Sequence, residues 1–199
     1  MSADDKARWN EKYTHRSHSW ETPDDFLSET YERFLAGATP GRALDLAGGA
    51  GRHSLWLARR GWQVDLVDVS DVGTALARQK AEAAGVTLHT RVLDLGGAAS
   101  ADLGTEQYDL IVIFFYLRRQ LFPAILSALK PGGCLIYKTY TIAQLQFDKG
   151  PRDAEFLLEP DELRQAFSQM GILHYREAVV GGKAVVELVG KNLVKEFGN

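Results

Sequence analysis

The chain has 199 residues, a net charge of −3, 45% hydrophobic residues and 25% charged ones. That length suits one domain with a proper core and is short for two, so a single domain over 1–199 is expected. The mild acidity offers no basic face for nucleic acid, the single cysteine, Cys134, excludes an internal disulfide framework, and no apolar run is long enough to cross a bilayer.

The N-terminus, M-S-A-D-D-K, lacks the apolar core of a signal peptide, so a cytoplasmic, reducing compartment is expected. Residues Ser2 to Tyr13 read as a short helix with Trp9 and Tyr13 about one turn apart. A polar, aperiodic stretch, T-H-R-S-H-S-W-E-T-P, follows. Pro23-Asp24-Asp25 then opens a second helix, with proline and acids in its first turn. Phe26, Leu27, Tyr31, Phe34 and Leu35 give it an apolar stripe, and it stops at Gly37. Residues 1–39 thus form an N-terminal helical segment ahead of a core at 40–199.

The core opens on R-A-L-D-L-A-G-G-A-G-R-H-S, residues 42–54. An apolar strand runs into a glycine cluster. A helix begins at Gly51 and ends at Arg59, Arg60 and Gly61. A second strand closes on Asp68. Gly48, Gly49 and Gly51 lack a Cβ, so backbone can lie against a ligand there. The first turn of the helix has unpaired N–H groups suited to a carboxylate or phosphate. Asp68, about 20 residues after the glycines, can accept from both hydroxyls of a ribose. The layout is that of a nucleoside-cofactor site.

Ser70-Asp71 caps a helix that runs to Ala84 and ends at Gly85. Val86 to Leu93 is a third strand closing on Asp94-Leu95, and a Gly/Ala/Ser loop follows. Tyr108 to Phe115 is a continuous apolar run, as expected of a strand buried on both faces. Leu121 to Leu129 is a helix, Pro131-Gly132-Gly133 a turn, and Cys134 to Tyr140 a further buried strand. Glu159-Pro160-Asp161-Glu162 starts a helix ending near Gly171. Two strands close the chain, with Gly181-Gly182 as a hairpin signal between them. The alternation predicts an α/β fold: a doubly wound, mainly parallel sheet with one antiparallel edge and helices on both faces.

Two cofactors compete for the glycine unit. A dinucleotide wants G-x-G-x-x-G, and the third glycine's place holds Ser54. Asp45, ahead of the glycines, would repel a pyrophosphate but can hold an ammonium. S-adenosylmethionine carries an ammonium and a carboxylate, so D-L-A-G-G-A-G favours it over NAD. A tight turn with no nucleotide is the bland alternative.

The unit resembles the first motif of class I S-adenosylmethionine-dependent methyltransferases, D/E-x-G-x-G-x-G, with Ala47 in the first glycine's place. W-N-E-K-Y, P-D-D-F-L and L-L-E-P-D-E-L-R-Q-A-F resemble the tellurite-resistance and thiopurine-type small-molecule methyltransferases. The resemblance implies a Rossmann-like, seven-stranded sheet in the order 3-2-1-4-5-7-6. It implies that backbone at Ala47, Gly49 and Gly51 cradles the methionine and ribose. Asp68 takes the ribose hydroxyls, Val69 flanks the adenine, and Asp94 accepts from the adenine amino group beside the Leu95 N–H. Phe114 and Phe115 lie near the methyl group.

Trp9, Tyr13 and Trp20 are aromatic faces suited to a sulfonium, or else rings that staple the N-terminal helix. Arg118 and Arg119 are either a grip for an anionic substrate or solvated residues at a helix start, and Tyr140 and Arg152 share that ambiguity. His15, His18 and Glu21 make only a loose metal set, and a solvated loop is the plainer reading. Phe147 to Phe156 is either a substrate lid or a connection. The expected reaction is in-line methyl transfer to a small-molecule acceptor, leaving S-adenosylhomocysteine, with no metal and no nameable general base. An NAD-dependent oxidoreductase and a non-catalytic S-adenosylmethionine-binding module are the alternatives.

Overall fold

Capping and apolar period place the helices of the first half. The computed structural model describes residues 3–15, 22–96 and 102–193. The chain divides into two compact units, Met1–Asp102 and Leu103–Asn199. The first holds α1 (Ala3–His15), α2 (Asp25–Phe34), β1 (Arg42–Leu46), α3 (Arg52–Ala58), β2 (Gln63–Asp68), α4 (Asp71–Ala83) and β3 (Leu88–Val92). Asp24 caps α2 by accepting from the Phe26 N–H at 3.1 Å, and Ser70 caps α4 by accepting from the Gly73 N–H at 2.9 Å. The buried stripe of α2 is Phe26, Leu27, Thr30 and Tyr31, continued by Leu35. Phe34, expected in that stripe, is only half-buried. β1 and β2 pair in parallel, as do β2 and β3.

The second unit holds β4 (Tyr108–Phe114), α5 (Phe122–Ala128), β5 (Leu129–Tyr140), α6 (Glu162–Ala166), β6 (Gly171–Val180) and β7 (Lys183–Lys191). β4 and β5 are parallel; β5 with β7 and β6 with β7 are antiparallel. Gly181 and Gly182 turn the hairpin at φ 57° and 73°. Two successive positive φ angles are what a type I′ hairpin turn requires. The seven strands run β3-β2-β1-β4-β5-β7-β6, the expected order, with a single antiparallel hairpin at the edge.

β3, expected over Val86 to Leu93, spans only Leu88–Val92, and two other elements differ more. β5 begins at Leu129, not Cys134, because Leu129 already pairs with Tyr108; the register then shifts across Pro131-Gly132-Gly133 to Leu110 opposite Cys134. α6 is five residues long, because Phe167 (0% exposed) and Met170 turn into the core ahead of β6. Cys134 packs as a small hydrophobe, and burial pushes its thiol up to about 12. Among the described residues no helix is long and apolar enough to cross a membrane. Trp20, His18, Glu21 and residues 97–101 of the Gly/Ala/Ser loop lie outside the described residues.

Candidate functional site

The bend between β1 and α3 is built on two buried acids. Asp45 lies one residue before the end of β1 at 1% exposure and turns its Oδ2 to Ser54, accepting from the backbone N–H at 3.0 Å and from Oγ at 2.6 Å. One donor in the first turn of α3 is therefore taken by the chain's own carboxylate. This corrects the expectation that those donors stand open to a ligand. Ser54, where a dinucleotide fold wants glycine, is the partner of Asp45. Burial pushes the Asp45 carboxyl up to about 6, against the pull of Ser54 and Arg52. Its carboxylate lies under Gly48, where a Cβ would come within 2.7 Å of Asp45 Cγ.

Ala47 adopts φ 58°. The first motif glycine is thus replaced at a position whose backbone is left-handed, which strains an alanine. Gly51 caps α3 at φ 79°, and a Cβ there would meet Ala77 of α4 at 2.7 Å.

Asp68 ends β2 at 6% exposure. Its Oδ2 accepts from the Gly49 N–H at 2.8 Å and its Oδ1 from the Ser70 N–H at 2.8 Å. Burial raises its carboxyl above the ordinary range, opposed by these backbone bonds. The Val69 N–H also pulls on this carboxylate, and of the roughly four lone-pair sites a carboxylate offers, room is left for a further donor. The acid is turned toward the glycine bend and away from bulk water. Val69 beside it is buried. Asp94 is exposed and accepts from the Gly96 N–H at 2.8 Å, next to buried Leu95.

The bend is covered. A Cβ on Gly49 would lie 2.0 Å from the Tyr13 hydroxyl oxygen, and its three nearest neighbours all belong to Tyr13. Burial, and then the charges of Asp68 and Asp45, raise the Tyr13 hydroxyl well above the ordinary phenol range. Trp9 backs Tyr13 as a stacked ring at 5.8 Å, and Lys12 Nζ sits 4.1 Å from the Trp9 centroid. Of the two described rings, Tyr13 meets the glycines and Trp9 supports it.

In the second unit, β4 closes on buried Phe114 and on Phe115 at φ 56°, a strained backbone for a bulky residue. Phe115 packs against half-buried Tyr140 at 5.1 Å, and Lys183 Nζ lies 4.8 Å from the Phe115 centroid. Lys183 escaped notice in the sequence because a lysine after a hairpin turn carries no motif.

Arg118 and Arg119 are not open to an anion as expected. Arg118 pairs with Glu155. Arg119 grips Glu162 with Nε and Nη2, and donates to the carbonyls of Glu155 at 3.1 Å and Leu157 at 2.8 Å. The Arg119 guanidinium holds the Glu162 carboxyl below its ordinary range. Arg152 donates to the Leu145 carbonyl at 2.9 Å. These bonds make the 147–156 stretch a fastened connection. Among the described residues no three acids, histidines or cysteines gather as a metal set.

The family described as tellurite resistance protein TehB matches residues 24–188. A hemagglutinin 1 from Eikenella corrodens is 28% identical over 178 residues, 84% of this chain and 55% of that protein. A probable S-adenosyl-L-methionine-dependent methyltransferase TehB from Haemophilus influenzae is 26% identical over 144 residues, 70% of this chain and 49% of that one. A tRNA 5-carboxymethoxyuridine methyltransferase from Escherichia coli K12 is 31% identical over 126 residues, 61% of this chain and 46% of its own length. The chain thus spans about half the length of the curated relatives it matches. The crystal structure of TehB from Haemophilus influenzae is similar in fold, with a TM-score of 0.68 at 18% identity over 94% of this chain and 66% of that one.

Proposed function

The chain belongs to the TehB tellurite-resistance family of class I S-adenosylmethionine-dependent methyltransferases, and from that premise we propose that it methylates a small, anionic acceptor in the cytoplasm. The proposal includes a single methyltransferase domain, with 1–39 as its cover and 40–199 as its core. The observation that carries it is Asp68: a buried carboxylate at the end of β2, tied to the glycine bend by the Gly49 N–H and to α4 by the Ser70 N–H.

When bound, S-adenosylmethionine supplies a methyl group on a cationic sulfur that leaves as a neutral thioether. The chain's residues supply the rest. Asp68 takes the ribose hydroxyls and stiffens the bend through Gly49. Backbone at Ala47, Gly48, Gly49 and Gly51 admits the methionine, and the buried charge of Asp45 favours its ammonium. Val69 flanks the adenine, with Asp94 and the Leu95 N–H as its polar partners. Tyr13, with Trp9 behind it, offers an aromatic face to a cation. Holding an acceptor in line with the methyl group is worth roughly 7–11 kcal/mol of the barrier. No general base is needed for a soft or anionic nucleophile.

Lys183 over Phe115, with Tyr140 alongside, supports an anionic acceptor. A second reading, RNA as acceptor, is favoured by the tRNA-modifying relative. Titration calorimetry with S-adenosylhomocysteine and with NADH tests the cofactor. Radiolabelled methyl transfer to tellurite, selenite, thiols, small carboxylic acids and bulk tRNA tests the acceptor. Binding of S-adenosylhomocysteine with transfer to a small anion is expected. Tight NADH binding with no response to S-adenosylhomocysteine overturns the cofactor reading, and label in tRNA alone overturns the small acceptor. Firm cofactor binding with a silent panel favours a non-catalytic sensor.

A further inference from the structure

One stripe of α1 is committed to the turn that follows Asp68. Lys6, Asn10 and Tyr13 fall at helical spacing on that stripe. Lys6 Nζ lies 2.7 Å from Asp71 Oδ2. Asn10 grips the turn twice: its Nδ2 donates to Asp71 Oδ1 at 2.7 Å, and its Oδ1 accepts from Ser70 Oγ at 2.6 Å. Tyr13 seats between two glycines. Its hydroxyl covers Gly49, and its ring carbons Cδ2 and Cε2 lie 2.9 Å from where a Cβ on Gly73 would be.

Gly73 is the informative residue. It stands in the first turn of α4, has no positive φ, and weakens the helix it belongs to. Its backbone does not require glycine. What the missing side chain does is make room for the Tyr13 ring. Beneath the same ring, Asp68 is 6% exposed although its oxygens retain acceptor capacity. A ribose approaching that carboxylate meets α1 first.

We propose that α1 is a latch on the cofactor seat, fastened by Lys6, Asn10 and Tyr13, and that the ribose end of the cofactor reaches or leaves Asp68 only while this stripe is undocked from α4. The latch rests on the methyl-donor reading given above. Two of its fastenings, Lys6 and Asn10 on Asp71, are polar and exposed, the kind of contact that opens locally without global unfolding. Association and dissociation rates then both scale with the undocked fraction.

Gly73→Ala isolates the latch, because alanine is the better helix former while its Cβ meets the Tyr13 ring. Two readouts are taken: hydrogen exchange of α1 amides in the ligand-free protein, and stopped-flow kinetics with S-adenosylhomocysteine. In Gly73→Ala, exchange across α1 and both rate constants should rise by at least about fivefold, as an enlarged undocked fraction requires. Asn10→Ala should move all three in the same direction. In a Tyr13→Ala background, Gly73→Ala should add nothing, since the two act through one contact. Wild-type exchange and rates in Gly73→Ala, or an effect of Gly73→Ala that persists without the Tyr13 ring, overturns the latch while S-adenosylhomocysteine binding keeps the cofactor reading intact. A wild-type protein that binds no S-adenosylhomocysteine overturns the methyl-donor reading and the latch with it.

Discussion

Replacing Asp45 by asparagine should alter how stability depends on pH more than it alters stability at any one pH. Asp45 is 1% exposed, and Ser54 answers it with an N–H and a hydroxyl. Burial is the largest influence on its carboxyl, which stands at about 6 where 3.8 is ordinary. The folded chain therefore holds this proton more tightly than the unfolded chain. The resulting stabilisation is fully present below 3.8 and is lost as pH rises through about 6. At about 1.4 kcal/mol for each tenfold change in proton affinity, the loss is on the order of 3 kcal/mol. Asparagine cannot ionise, so it escapes that loss. Its NH2 group adds a pH-independent cost of about 1–3 kcal/mol where it lacks an acceptor. Urea unfolding of both proteins across the window from about pH 4 to pH 7 should show the difference moving in favour of Asp45→Asn by on the order of 3 kcal/mol. A difference that stays flat refutes the claim that this carboxylate is ionised, at neutral pH, in a desolvated site. The same titration bears on function. If the Asp45 charge favours the cofactor ammonium, affinity for S-adenosylhomocysteine falls in wild type as pH drops through about 6 and stays level in the variant.

Three further substitutions read other parts of the structure. Ala47→Gly relieves a left-handed alanine, φ 58°, which costs about 1–2 kcal/mol; after the greater unfolded-state freedom of glycine is deducted, the melting temperature should rise by about 1–4 °C, and a lower one would contradict the strain. Arg119→Met removes the grip on Glu162 and on the carbonyls of Glu155 and Leu157. With the guanidinium partly exposed, the loss should be about 1–2 kcal/mol, and trypsin should cut the 147–158 stretch faster. Protection equal to wild type would return Arg119 to the substrate. Lys183→Gln should raise KM for an anionic acceptor by about tenfold, the scale of one exposed charge contact, without weakening S-adenosylhomocysteine; an unchanged KM removes Lys183 from the acceptor side.

What could be read from the sequence divides by the range of the interaction. Ser70 as the cap of α4 and Gly181-Gly182 as a hairpin turn are settled within four residues of chain, and both stand as expected. So does the run expected from Tyr108 to Phe115, whose apolar continuity requires cover on both faces; the strand ends one residue early, at Phe114, and most of it is fully buried. Element ends set by a distant partner were misjudged. Leu129 is a strand residue because Tyr108 lies opposite it, and α6 stops early because Phe167 and Met170 are drawn inward. At the site, Asp45, the glycines and Asp68 are legible because their spacing is short and fixed. Ser54 showed only as a missing glycine, and its reason, the bond to Asp45, spans nine residues. The adjacent Arg118 and Arg119 suggested an anion because the acids that neutralise them stand 37 and 43 residues further on. Asn10 showed only as a letter of W-N-E-K-Y, with no role attached, and Gly73 gave no signal. The partners of Asn10 are 60 and 61 residues away, and a glycine in a first helical turn reads as mere weakness until the ring that needs its space is known. The residues proposed to hold the cofactor are thus recoverable from local spacing. Those proposed to govern its access are not, because such a latch belongs to the contact between two elements, and α1 alone or α4 alone contains only half of it.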